Sequence, residues 1–345
     1  MPDRCNDVPS VMDFYIGTYT RGTGSTGIYH LVVEEDGHSL TCAAPADNPS
    51  WLVRDHSKGI VYAVSEVSNE SASGGGVTVF KERSNGRLKL TQSMPSEGDD
   101  PCHLTLGDNQ LIATNYSSGS VISYSIRDNG ELGDSHRVDH EGSGPDPDRQ
   151  EAAHAHSSVK VNGSIVVADL GTDRLMVYDS NLDLKDEVTL PAGAGPRLMS
   201  VAGGKLYVIC ELSNTIETYQ LGDHQYNHIG SVSTLPEEFD GTSFAAHIEI
   251  STDGRFMYGS NRGHDSVVVM SLAGDLPRPV QWVTSGGRHP RHFILAKNAL
   301  TKTESCLVVA NRDDNNIVFY QRDSETGLLT DMNRQIEVPS PVCIV

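Results

Sequence analysis

Five histidines and four arginines stand out in this sequence because of where they sit. His103, His154, His156, Arg197, His247, Arg291 and His292 lie near the start of short apolar runs, and Arg262 and Arg312 near the end of others. Tyr19, Glu66, Asn115, Asp169, Glu211 and Asn261 also occupy run ends. Arginine presents a planar fork that suits a carboxylate or a phosphate. Glu211 interrupts the apolar stretch YVICEL, so a half-buried carboxylate is expected there. Such a group can act as a general base, hold a sugar hydroxyl, or pair with Arg197. His154 and His156 are spaced by two, which turns both rings to one face of a strand. That spacing can ligate a metal, but no further clear ligand cluster accompanies it. A hydrogen-bonding or acid–base role is expected instead, with neither metal nor cofactor.

The rest of the chain has the opposite charge. Its 345 residues include 46 acidic and 26 basic side chains, for a formal charge of −20. Such a surface disfavours nucleic acid and anionic membrane as partners. A local basin of arginine in an acidic protein points to a small anionic ligand. No apolar run reaches the roughly 18 residues of a membrane-spanning helix. Met1–Ser10 lacks the apolar core of a secretory signal, so a cytoplasmic protein is expected. Cys5, Cys42, Cys102, Cys210, Cys306 and Cys343 are far apart and form no C-x-x-C pair. They read as small, buried residues in a reducing compartment. Nothing in the sequence sets an oligomeric state.

A repeat positions the candidate residues. An apolar strand, a polar turn and a second apolar strand return at Phe14–Val33, Val61–Phe80, Leu111–Ile126, Ile165–Tyr178, Leu206–Leu221, Met257–Leu272 and Leu307–Tyr320. Anchored on Tyr15, Tyr62, Ile112, Val166, Tyr207, Tyr258 and Val308, the seven copies recur every 41 to 54 residues. Val, Ile, Tyr and Thr fill the runs, Gly, Asn, Asp and Ser fill the turns, and no long helical period appears. A weaker strand usually follows each pair and another precedes it. The leading strands open on Pro49, Pro101, Pro196 and Pro290, with His156 and His247 in the same place in two further copies. Four strands in each repeat of about 40–50 residues predict an all-β, seven-bladed β-propeller with four-stranded antiparallel blades, one domain over residues 1–345. The first copy lacks a leading strand, and Pro339–Val345 has the right form to supply it, so the C-terminal strand is expected to close the ring. In a propeller the starts of the innermost strands and the ends of the next ones meet at one mouth of the central channel. The scattered residues above therefore converge. Gly142–Ala153, polar and Pro-bearing, is expected as a surface loop over that mouth. Ser73–Gly76 lies in a turn and precedes no helix, so it matches no phosphate loop.

With these residues in place, the chain resembles the seven-bladed lactonase family, which includes a bacterial 6-phosphogluconolactonase and a fungal carboxymuconate cycloisomerase. The resemblance spans the chain, through YIGTYT at 15–20, HAHSSV at 154–159, ADLGTDRL at 168–175, GPR at 195–197, AAHIEISTDGRFMYGSNRGHDSV at 245–267 and HPRHF at 289–293. WD40 and kelch propellers fit less well, since no Trp-Asp dipeptide recurs. The resemblance implies a catalytic set of His156, Arg197, Glu211 and Arg262, with His154, His247, Asn261 and Arg291 binding substrate. It implies hydrolysis of a small anionic sugar lactone, foremost 6-phosphogluconolactone to 6-phosphogluconate in the pentose phosphate pathway. Glu211 or His156 would take a proton from water, while Arg197 or Arg262 would stabilise the oxyanion or clamp the phosphate. No G-x-S-x-G motif is present, and the chemistry needs no covalent nucleophile. The alternatives are cycloisomerase chemistry run by the same four groups, a metal-dependent gluconolactonase-type propeller, and a non-catalytic propeller binding a small anion or a protein partner.

Overall fold

Seven four-stranded antiparallel sheets stand around a channel in the computed structural model, which describes residues 11–68, 70, 74–107, 109–223, 225–297 and 304–345. Blade 1 orders its strands as Pro341–Ile344, Val11–Thr18, Gly27–Glu34 and Gly37–Pro45, from the innermost outward. Blades 2 to 7 follow in chain order, with innermost strands at Leu52–Asp55, Pro101–Leu106, Ala155–Val161, Pro196–Ala202, Phe244–Ile250 and Pro290–Lys297. The second strands are mainly apolar because neighbouring blades cover both of their faces. In Ile60–Ser65 and Lys205–Cys210 every residue but one terminal one is buried. The outermost strands, such as Tyr226–Ser233, meet solvent and are mostly polar, which is why they read weakly in the sequence.

The ring closes through the C-terminal strand. Ile344 pairs with Ile16 and Cys343 with Gly17, and Tyr15 and Val345 exchange backbone hydrogen bonds of 2.8 and 2.9 Å. Gly17 is required at this seam, because a Cβ there would lie 2.3 Å from the Pro49 carbonyl oxygen. Blades 7 and 1 then share a core of Phe14, Ile16, Val308, Ile317 and Phe319. Burying each such side chain is worth roughly 1.5–3 kcal/mol. Residues 1–10 of the unit expected over 1–345, with Cys5, lie outside the described residues, as does Ser73. Cys42, Cys102, Cys210, Cys306 and Cys343 are unpaired.

Two local devices repeat around the ring. Asn115, Asn261 and Asn311, each at or next to the end of a second strand, donate from Nδ2 to the carbonyls of Ser96, Thr234 and Ser285 at 3.1, 3.0 and 2.8 Å. Those carbonyls directly follow the outermost strand of the preceding blade, so each amide latches one blade to the last. The second device is a β-bulge near the start of the innermost strands. The register slips between Pro101 and His103, Ala155 and Ser157, Pro196 and Leu198, and Pro290 and His292. A bulge leaves one residue outside the ladder and re-aims its side chain. The residues released are Cys102, His156, Arg197 and Arg291.

Candidate active site

The bulge residues meet part of a second set at one end of the channel. These are the residues four past each repeat anchor: Tyr19, Glu66, Tyr116, Leu170, Glu211, Arg262 and Arg312. A cavity of about 290 Å³ is lined by Glu66, Cys102, Tyr116, Arg149, His156, Glu211, Arg262 and Arg291. All but Arg149 come from the two sets. His156, Arg262 and Arg291 therefore converge with Glu211 as expected, and Arg197 lies directly behind them.

Glu211 is the hub. Its Oε2 accepts from Arg197 Nε at 2.8 Å and pairs with an Arg262 terminal nitrogen at 2.7 Å, while Oε1 accepts from Arg149 at 2.5 Å. Burial, the largest influence, pushes the carboxyl up, but Arg262, Arg197, His156 and Arg149 outweigh it and hold Glu211 well below the usual carboxylate range. Both oxygens are occupied, and in this geometry the carboxylate organises arginines. Arg197 is 2% exposed, does not line the cavity, and also donates to the Ala246 carbonyl. Burial, with Arg262 and Arg291 nearby, pulls its guanidinium down to about 9, leaving it a cation at neutral pH. Arg262 is held by the Phe244 and Ala245 carbonyls at 3.2 and 3.1 Å.

His156 lines the cavity with Tyr116 edge-on to it, ring centroids 5.7 Å apart. Its Nδ1 is buried without a hydrogen-bond partner among the described residues. Burial first, then the charge of Arg197, keeps His156 well below its ordinary value, so the ring is neutral at neutral pH. A neutral imidazole facing a cavity can accept a proton. His154 is not in the cavity. It stacks on Tyr116 at 4.5 Å, shares a 3.0 Å hydrogen bond between Nδ1 and the Tyr116 carbonyl, and faces Glu151 at 3.2 Å. It buttresses the wall behind the site.

Other expected site residues lie elsewhere. The innermost strand of blade 6 starts at Phe244 rather than His247, so His247 sits deeper in the channel. There it packs against His292 at 4.0 Å and Trp51 at 6.1 Å, with His103 at 4.4 Å from Trp51. Asn261 is fully buried, and its amide is committed to the blade latch and to Ser266 Oγ at 3.2 Å. Arg312 turns to Asp313 and His289 and lines a neighbouring groove with Tyr19. Asp169 is also withdrawn: Oδ1 accepts from the backbone nitrogens of His154, Gly171 and Thr172, and Oδ2 meets His140 Nδ1 at 2.7 Å.

Arg291 reaches the cavity from blade 7, its guanidinium 5.2 Å over the Tyr19 ring and 3.7 Å from Glu66, to which the Tyr19 hydroxyl donates at 2.9 Å. Tyr116 and Arg149 were missed in the sequence. Tyr116 stood one residue past Asn115, and the constant offset of four from the repeat anchors would have found it. Arg149 comes from the connection over residues 140–154, which is longer than the corresponding connections of the other blades. Burial pushes the Cys102 thiol up to about 12, which leaves it a neutral wall residue. Among the described residues, no group of three or more His, Cys, Asp or Glu is arranged to hold a metal ion, and no helix is long and apolar enough to cross a membrane.

Comparison with known proteins agrees with this construction. The chain is 33% identical over 349 residues to the 6-phosphogluconolactonase of Bacillus subtilis, covering 96% of this chain and 97% of the relative. Its fold matches the periplasmic gluconolactonase of Pseudomonas aeruginosa with a TM-score of 0.88 at 25% identity, over 97% of this chain and 99% of the other. A protein from Lactobacillus plantarum matches with a TM-score of 0.88 at 27% identity, over 96% and 99%. Residues 13–345 match the family described as Lactonase, 7-bladed beta-propeller. A ring of seven blades, closed end to start around one arginine-rich cavity, is thus joined by a family match over nearly all of the sequence: the chain belongs to the seven-bladed β-propeller lactonases.

Proposed function

We propose that the protein hydrolyses a small anionic sugar lactone, foremost 6-phosphogluconolactone to 6-phosphogluconate, in the cytosol. The observation that carries this reading is a neutral His156 facing a cavity where Arg149, Arg262 and Arg291 outnumber Glu66 and Glu211, with Arg197 buried behind them. The similarity to a 6-phosphogluconolactonase and to a gluconolactonase supports it. The unpaired cysteines suit a reducing compartment.

His156 takes a proton from water as the oxygen attacks the lactone carbonyl carbon. Arg262 and Arg291 lie against the oxyanion that forms, in a site where hydrogen bonds to charge are strong. Glu211 and Arg197 hold Arg262 in place. As the tetrahedral intermediate collapses, the bond from the carbonyl carbon to the ring oxygen breaks, and His156 returns its proton to that oxygen. Water and lactone become a hydroxy acid, and no covalent enzyme intermediate forms.

The test is turnover by purified protein on 6-phosphogluconolactone, gluconolactone and a muconolactone, with spontaneous opening subtracted. The phosphorylated lactone should be opened fastest, and chelator should leave the rate unchanged. Folded protein that accelerates the opening of none of the three would remove the hydrolase reading.

A further inference from the structure

The loop between blades 3 and 4 is built to hold one side chain in the cavity. Asp169 pins it on both sides: one carboxylate oxygen meets His140 at the loop's start, and the other accepts from the His154 backbone just past its end. The middle is fixed by Gln150, which is fully buried and donates from Nε2 to the Leu170 carbonyl and to Asp173 Oδ1, both at 2.8 Å. Asp173 Oδ1 also accepts from Gly195 N at 2.7 Å, next to the strand that carries Arg197. Within the loop, Asp146 Oδ1 accepts from the backbone nitrogens of Asp148 and Arg149 at 3.0 and 3.1 Å. Gly171 lets the loop seat closely, since a Cβ there would lie 1.9 Å from the Ala152 carbonyl oxygen.

Arg149 is the side chain so delivered. One of its terminal nitrogens reaches Glu211 at 2.5 Å and the Tyr116 hydroxyl at 3.5 Å, and its guanidinium lies 5.6 Å from the Phe244 ring centroid. Its Nε and other terminal nitrogen have no hydrogen-bond partner among the described residues, and its side chain is 33% exposed. Arg197 and Arg262 differ, each being buried and spending two nitrogens on Glu211 and backbone carbonyls. Glu211 would keep Arg197 and Arg262 if Arg149 turned to another anion.

We propose that Arg149 is the specificity-determining residue of this cavity, taking the anionic substituent of the substrate, a phosphate or carboxylate, while the strand-borne arginines serve the reacting carbonyl. The turnover test of this idea rests on the proposed lactonase function, so a binding measurement accompanies it. In Arg149→Gln, the ratio of kcat/KM for 6-phosphogluconolactone to that for gluconolactone should fall by about 10- to 100-fold, chiefly through KM on the phosphorylated substrate. Arg149→Lys should restore part of the ratio. Equal losses on both lactones, or an unchanged ratio, would overturn the assignment, because a structural defect strikes both substrates alike. Calorimetric titration with 6-phosphogluconate and gluconate separates the two readings. If the wild type opens neither lactone, yet prefers 6-phosphogluconate and loses that preference in Arg149→Gln, the lactonase reading fails and the Arg149 assignment stands. Equal binding of both acids by the wild type sinks the assignment whatever the turnover shows.

Discussion

A carboxylate ringed by guanidiniums gives up the proton affinity that a general base needs, and Glu211 is in that position. His156 is also held well below its ordinary value, by burial and by Arg197, but it is neutral and its Nδ1 has no hydrogen-bond partner among the described residues. The two predict different signatures. His156→Asn should lower kcat by about 10²- to 10⁴-fold. The basic form of His156 persists well below pH 6.5, so wild-type kcat/KM should hold level from neutral pH down past 6.5 and fall only in more acidic buffer. Glu211→Gln should lower the rate by loosening Arg262, by roughly 10²-fold, and should move the acid limb that His156 sets to still lower pH, because the carboxylate raises His156. An acid limb that persists in His156→Asn and disappears in Glu211→Gln would return the base role to the carboxylate. Residue types pointed to both groups in the sequence, but not to which one is the base. That choice turns on three guanidiniums whose separations of 14, 51 and 62 residues from Glu211 no local pattern links.

At the level of elements, the site depends on a bulge near the start of the innermost strand and on the residue just past the second strand. The proline-led strand starts were legible, and with them Arg197 and Arg291. The register was not fully so. Asn115 and Asn261 stand one residue before the cavity-lining Tyr116 and Arg262, and a one-residue slip exchanges a cavity residue for a blade latch. The latch makes its own prediction. Asn261→Ala removes buried hydrogen bonds to Thr234 and Ser266, so it should cost about 1–3 kcal/mol in chemical denaturation and leave KM for the lactone unchanged. A raised KM with unchanged stability would restore Asn261 to the binding set. The loop over the mouth was expected from its composition, but its arginine was not. Nothing in a polar insertion shows which way a side chain faces until His140, Gln150 and Asp173 fix the backbone.

The whole ring was legible because seven copies of one pattern had to bury the same two faces, and because the copy lacking a strand matched the strand left over at the chain's end. The ring also carries a liability to acid. His103, His247 and His292, drawn from three blades, surround Trp51 in the channel. Burial, the leading cause, holds His103 and His292 down to about 3 and His247 well below its ordinary value. Unfolded histidines titrate near pH 6.5, so stability is fully present above that pH. It is lost as pH falls toward 3, by about 1.4 kcal/mol per pH unit for each histidine. Thermal melts should show Tm dropping between pH 6.5 and 4.5, with a shallower drop in His292→Gln; a flat Tm across that window would contradict the neutral cluster. The closing strand has a consequence for biosynthesis. Pro341–Ile344 is the last strand in the chain and the innermost strand of the first blade. As the chain emerges from the ribosome, six blades can assemble in order while Val11–Thr18 waits with one edge unpaired. The nascent protein stays an open arc until Pro341–Ile344 leaves the exit tunnel, so the ring, and the cavity it frames, can form only once that strand is free to pair.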